Sequence, residues 1–191
     1  MIRPRRSLLF MPGSNARALE KARNLPADGI ILDLEDSVAP DAKAVARDQI
    51  AKAIAAGGFG KREVLIRVNS LDTPWWVDDV TMAGKARPDG ILVPKISAVA
   101  DLNAIANRLS DINADMSIRV WAMIETARAV LDADKLAAAS KDAETTLAGM
   151  AAAFDAEGVE GRVHPGDRAT RESVRNPGIQ GGPSLAVLQQ R

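Results

Sequence analysis

No cysteine occurs among the 191 residues, which excludes disulfides, thiolate nucleophiles and cysteine-ligated zinc. A single histidine is present, leaving little room for a histidine-rich metal site or a histidine-based triad. Neither sign of charge is in surplus, since Lys plus Arg and Asp plus Glu each number 25. A nucleic-acid binder would normally show a basic excess, so no nucleic-acid partner is expected. Long apolar runs are missing as well. The basic opening Met1–Arg6 leads only into the short run Leu8–Met11, shorter than a secretory signal needs and far from the about 20 residues of a membrane span. A soluble, cytoplasmic protein with no membrane partner is the expectation. Hydrophobic residues, by contrast, make up 47%, which argues against disorder over the whole chain. The length suits one domain with a sizeable core better than two.

Short apolar runs alternate with Ala-rich amphipathic stretches. The runs are Ser7–Met11, Gly29–Leu34, Val64–Val68, Gly90–Pro94 and Ser117–Ile124, with a weaker sixth at Thr146–Met150. Bounded by Gly, Pro or Asp, they read as buried parallel strands. Helices are expected near Ala16–Asn24, Asp41–Ala55, Trp75–Ala86, Val99–Leu109 and Ala127–Ala139. Ser14 is placed to cap the first, and Pro74 suits the first turn of the third. Repeated strand–helix units imply right-handed βαβ connections, hence either a barrel or an open doubly wound sheet. Ionisable groups gather at successive strand ends: Asp33, Glu35 and Asp36 after the second, Arg67 on the third, Lys95 after the fourth and Glu125 after the fifth. A barrel directs all such ends to one mouth. An open sheet would concentrate its site at one switch point, usually with a Gly-rich fingerprint, and neither G-x-G-x-x-G nor a Walker loop occurs. A TIM (β/α)8-barrel type is therefore expected, incomplete at five to six βα units against the about 250 residues of a full barrel. The division expected is a partial barrel over residues 1–150 and a shortened segment with a mobile tail over 151–191.

Carboxylates at such a mouth suit Mg²⁺, which prefers oxygen ligands, and an Arg beside them can hold a substrate carboxylate bidentately. Together they would stabilise an enolate formed as a C–C bond beside a carbonyl breaks. On composition alone, the alternative that these charges only pair with one another or cap helices stands equal.

The stretches Ser7-Leu-Leu-Phe-Met-Pro-Gly-Ser-Asn-Ala-Arg-Ala-Leu-Glu-Lys-Ala22 and Asp28-Gly-Ile-Ile-Leu-Asp-Leu-Glu-Asp-Ser-Val-Ala-Pro-Asp-Ala-Lys43 resemble the opening of citrate lyase beta subunit-like proteins of the HpcH/HpaI aldolase/citrate lyase family. Val64-Leu-Ile-Arg-Val-Asn69, Leu71-Asp-Thr-Pro-Trp75, Val93-Pro-Lys95 and Ala122-Met-Ile-Glu-Thr126 continue the resemblance in order, over roughly residues 3–149. It implies a Mg²⁺-dependent carbon–carbon lyase acting on a 3-hydroxyacyl-CoA thioester of the citryl-CoA or malyl-CoA type. Oxaloacetate or glyoxylate would be released with an acyl-CoA, and the chain would assemble as a homotrimer. By the same resemblance Arg67 binds the substrate's carboxylate and carbonyl, and Glu125 ligates Mg²⁺ and faces substrate. Glu35 and Asp36, with Asp33, form the acidic group beside the metal, and Lys95 faces the mouth as a substrate-binding residue.

The sequence departs from the family after Met150. The family's second metal-ligating aspartate falls among alanines near Ala152, and Asp155 or Glu157 is only a weak substitute. A shortened paralogue that binds ligand without turnover, or co-assembles with full-length relatives, is the alternative expectation. His164, in a His-Pro-Gly segment, suits a turn better than catalysis, and Pro177–Arg191 reads as a mobile tail. Trp75 and Trp76 are expected to pack, Pro12–Asn15 to shape the mouth, and the charges over Arg47–Lys61 and Asp101–Arg119 to be solvated helix faces.

Overall fold

The structure, a computed structural model, describes residues 5–142. The expected sixth run, Ala152, Asp155, Glu157, His164 and the C-terminal segment lie outside them. Five strands, β1 (Leu8–Pro12), β2 (Gly29–Asp33), β3 (Glu63–Arg67), β4 (Gly90–Val93) and β5 (Arg119–Ala122), alternate with helices α1 (Ala16–Ala22), α2 (Lys43–Ala56), α3 (Trp76–Ala86), α4 (Val99–Asp111), α5 (Ala127–Leu131) and α6 (Ala133–Asp142). All neighbouring strands are parallel, and their order in the sheet is their order in the chain. A doubly wound sheet reverses its order at a switch point; this one does not, so the units are those of a barrel. No helix of the described residues is long and apolar enough to cross a membrane.

Every residue of β2, β3 and β4 is buried, as parallel strands covered on both faces must be. Alternation along each strand sorts the core into two layers. Ile30, Leu32, Val64, Ile66, Ile91, Val93 and Val120 pack outward against the helices. Ile31, Leu65, Leu92, Trp121 and Met123 form a separate inner cluster, joined by Leu8 and Phe10. Gly90 sits on that inner face; a Cβ there would come within 2.9 Å of the Arg119 carbonyl oxygen and 3.0 Å of the Trp121 indole nitrogen. The absent side chain is the room the tryptophan fills.

Helix boundaries differ from the expectation in three places. Asn15, not Ser14, caps α1, its side-chain oxygen accepting from the Ala18 amide at 3.1 Å, because Ser14 lies one residue too early to reach that donor. Pro74 precedes α3 rather than opening it, with Trp75 as the boundary residue. The last expected helix is two, α5 and α6, parted at Asp132. Arg47 is not a solvated face either, since it pairs with the fully buried Asp79 on α3. Trp76 packs on the outer core as expected.

Candidate active site

Asp33 and Arg67 are register partners at the ends of β2 and β3, and the alternation that turns Ile31 and Leu65 inward turns them inward too. Arg67 donates Nε and Nη2 to the two oxygens of Asp33, both at 2.7 Å, a bidentate pair in which Asp33 is 1% and Arg67 4% exposed. Asp33 also accepts from the Glu35 amide at 2.9 Å, the Ser37 amide at 3.1 Å and the Ser37 hydroxyl. Those bonds fold the chain after β2 back over Asp33. The turn presents Glu35 and Asp36 to the remaining edge of the guanidinium, with Nη1 3.0 Å from Glu35 Oε2 and 3.4 Å from Asp36 Oδ2. Phe10 covers the Arg67 plane, 4.7 Å from the ring centre, an arrangement favourable to a cation.

Lys95 arrives from the end of β4, its ammonium 3.0 Å from Glu35 Oε1. That oxygen makes no aligned hydrogen bond, so the contact is one of charge. Lys95 stands in the left-handed backbone region, φ 54°, where a residue with a Cβ is strained by about 1–2 kcal/mol. In that conformation its amide donates to Glu125 Oε1 at 2.8 Å, which aims the half-buried Glu125 at the mouth. The other Glu125 oxygen is engaged by no described residue. Five of the six side chains singled out in the sequence therefore meet, Asp33, Glu35, Asp36, Arg67 and Lys95, and Glu125 joins them through the Lys95 backbone amide.

Their titration follows from the contacts. Burial would raise the Asp33 carboxyl, but the Arg67 and Ser37 hydrogen bonds and the Arg67 charge bring it below its ordinary value. Burial raises Glu35 above the usual carboxylate range, an effect that Lys95 and Arg67 only partly offset. Glu35 in turn raises the Lys95 ammonium, and Asp33 more than offsets the burial that works against the Arg67 cation. Four carboxylates stand against two cations here. A surplus of negative charge beside an arginine favours an anionic substrate only when a further cation accompanies it.

Among the described residues no three acidic or histidine side chains gather to hold a metal ion, because Glu35 and Asp36 are taken by Arg67 and Lys95. Glu125 fits as one ligand, with an oxygen free and a surplus of negative charge around it. Among the described residues, Glu125 is thus the one carboxylate suited to a Mg²⁺ ion, and the other positions around such an ion would fall to substrate oxygens and waters.

Sequence reasoning missed what lies beneath the turn. The Lys43 ammonium donates to the carbonyls of Leu34 at 2.6 Å and Glu35 at 2.7 Å and to Asn69 Oδ1 at 2.7 Å. A signal was available: Lys43 shares the buried stripe of α2 with Ala46, Ile50 and Ala53, where a lysine has no place unless its charge is used. Gly13 meets the same region from the other side, donating its amide to the Asp33 carbonyl at 2.9 Å. Within Pro12–Asn15, Gly13 thereby holds the end of β1 against the end of β2.

Residues 6–157 match the family model described as HpcH/HpaI aldolase/citrate lyase. A (3S)-malyl-CoA thioesterase of Cereibacter sphaeroides is 45% identical over 135 residues, 71% of this chain and 45% of that protein. An L-malyl-CoA/beta-methylmalyl-CoA lyase of the same organism is 38% identical over 157 residues, 78% of this chain and 49% of that protein. The chain spans about half the length of these curated relatives. Among solved structures, a citrate lyase beta subunit of M. tuberculosis, complexed with oxaloacetate and magnesium, is 26% identical with a TM-score of 0.56, covering 80% of this chain and 66% of that one.

Proposed function

The chain belongs to the HpcH/HpaI aldolase/citrate lyase family, and we propose that its mouth cleaves a carbon–carbon bond in a 3-hydroxyacyl-CoA thioester of the malyl-CoA or citryl-CoA type. The observation that carries this reading is Arg67, locked side-on by Asp33 at the strand ends, with its Nη1 edge on Glu35 and on the solvent-exposed Asp36, whose place a substrate carboxylate would take. A buried, preoriented guanidinium suits the acid end of such a substrate. In the reaction the 3-hydroxyl gives up its proton, its carbon becomes a carbonyl, and the C2–C3 bond breaks. The electron pair passes to the thioester enolate, which is protonated at C2. Malyl-CoA then yields glyoxylate and acetyl-CoA, and citryl-CoA yields oxaloacetate and acetyl-CoA.

Arg67 binds the acid end, Lys95 supplies a second positive charge beside it, and Glu125 faces the reacting carbonyl. Asp33, Glu35 and Asp36 hold these groups in place. Bound Mg²⁺ would be held by Glu125 and would polarise the carbonyl on which negative charge develops.

A second reading has its own support. Four relatives at 44–45% identity are named (3S)-malyl-CoA thioesterase, and hydrolysis of the same substrate would give malate and free CoA. Product analysis separates the two. The whole chain is incubated with malyl-CoA, and separately with citryl-CoA, in the presence of Mg²⁺, and acyl-CoA species and free acids are quantified by chromatography. Glyoxylate with acetyl-CoA is the expected result; malate with free CoA would replace cleavage by hydrolysis. Substrates returned intact would overturn both and leave a ligand-binding or co-assembling paralogue.

A further inference from the structure

We infer that Lys43 is a positioning residue of this mouth: its buried ammonium clamps the turn after β2 and thereby sets Glu35 and Asp36 against Arg67. The inference rests on reading the mouth as the site for an oxo-acid or its CoA adduct. Lys43 is 5% exposed, and an ammonium has three donors and no acceptor. Here all three have partners: two consecutive carbonyls of the turn, Leu34 and Glu35, and the Asn69 side chain. Burying a charge at this depth is unfavourable unless every donor is satisfied. The arrangement therefore favours one conformation of the turn, the one in which both carbonyls point down at the lysine and the Glu35 and Asp36 side chains point up at Arg67.

The clamp is itself anchored. Asn69, two residues beyond Arg67, donates its amide and its side-chain nitrogen to Asp79 Oδ2 at 2.9 and 2.6 Å, and the same nitrogen reaches the Leu34 carbonyl at 2.9 Å. Arg47 holds the other Asp79 oxygen at 2.9 Å. The Trp75 ring covers the Lys43 ammonium at 5.1 Å. Lys43 thus ties α2, the end of β3 and the start of α3 to one turn. Arg47 shares the network yet has no hydrogen bond or ion pair to the turn, which makes it the natural control.

The test compares Lys43→Met with Arg47→Met, each as the whole chain. Oxaloacetate affinity is read by calorimetry, and amide exchange over residues 34–37 by mass spectrometry, well below the melting temperature of both variants. Both are expected to melt lower than the parent. Only Lys43→Met should lose oxaloacetate affinity, by about tenfold, the scale on which partners one shell out act on a site, and only it should show faster exchange in the turn. Because the chain has no cysteine, Lys43→Cys alkylated with 2-bromoethylamine restores an ammonium at one position, and it should recover both readouts, whereas iodoacetamide should not. Equal losses in the two methionine variants, parental exchange in the turn of Lys43→Met, or failure of every Lys43 variant to fold would overturn the inference and leave Lys43 a stability residue. If the parent itself binds no oxaloacetate, the functional reading fails on its own, and the exchange comparison still decides the role of Lys43.

Discussion

Arg67 is surrounded by more negative charge than it can neutralise, and the geometry ranks its partners. Asp33 takes two hydrogen bonds at 2.7 Å in a buried pocket, whereas Asp36, with a side chain 71% exposed, sits 3.4 Å away in contact with solvent. Removing a buried partner leaves a desolvated charge behind and costs about 3–5 kcal/mol; an exposed pair contributes at most about 1 kcal/mol. Asp33→Ala should therefore lower the free energy of unfolding by about 3 kcal/mol, the smaller end because Glu35 still faces the guanidinium. Asp36→Ala should cost well under 1 kcal/mol. Arg67→Met should be costly too, since it strands Asp33. The double variant Asp33→Ala, Arg67→Met should lose less than the two singles together, because neither charge is then stranded. Urea titrations of the parent and the four variants give these values directly, and strict additivity would show that the pair is not coupled. None of this ranking was legible in the sequence. It gathered the six ionisable residues at strand ends, but which of them pair, and which keep an oxygen free, depends on side-chain geometry.

The start of β2 shows how neighbouring elements are pinned. Asp28 accepts from the Arg6 guanidinium and from the amides of Arg6 and Ser7, tying the segment before β1 to the segment before β2. The Arg6 hydrogen bonds bring its carboxyl from the ordinary 3.8 down to about 2. A carboxyl depressed on folding stabilises the native state above its unfolded value, and that stabilisation is lost as pH falls through the folded value. The difference in melting temperature between the parent and Asp28→Asn should thus be constant above about pH 4 and shrink toward pH 2; a difference that persists unchanged at pH 2 would assign it to something other than the charge. Gly13 pins the carboxyl ends of the same two strands. Its Cβ would lie 2.6 Å from the Asp33 carbonyl oxygen, so Gly13→Ala must push β1 from β2 at the mouth and should cost about 1–3 kcal/mol by overpacking, with oxaloacetate binding weakened because Asp33 moves. The strands themselves were readable because burial on both faces leaves continuous apolar runs bounded by Gly, Pro or Asp. The α1 cap, the place of Pro74 and the break at Asp132 were not. Each turns on which backbone donor a nearby side chain reaches, and sequence spacing alone leaves that open by a residue or two.

Across the whole molecule, five parallel strands in chain order bring one half of a mouth into being. β1 and β5 each have a single strand neighbour among the described residues, and Leu9 on β1 is 39% exposed. The charge pattern of that half-mouth makes a definite thermodynamic statement. Glu125 offers Mg²⁺ one oxygen, too little for firm binding by itself, while an oxo-acid meeting Arg67 alone would face the unneutralised carboxylates around it. Each ligand supplies what the other lacks, the metal an extra cation and the oxo-acid further oxygens, so their binding should be mutually strengthening. A ligand that binds the native state at ten times its dissociation constant stabilises it by about 1.4 kcal/mol, which for a chain of this size raises the melting temperature by roughly 3–6 °C. Mg²⁺ and oxaloacetate together should give a shift of that order, and each alone much less. Glu125→Ala should abolish the increment that Mg²⁺ adds while keeping the small response to oxaloacetate, and Arg67→Met should abolish both. A calorimetric melt of the three chains under the four ligand conditions checks this directly. If the two shifts in the parent merely add, Glu125 and Arg67 serve separate ligands and the metal has no part in holding the substrate.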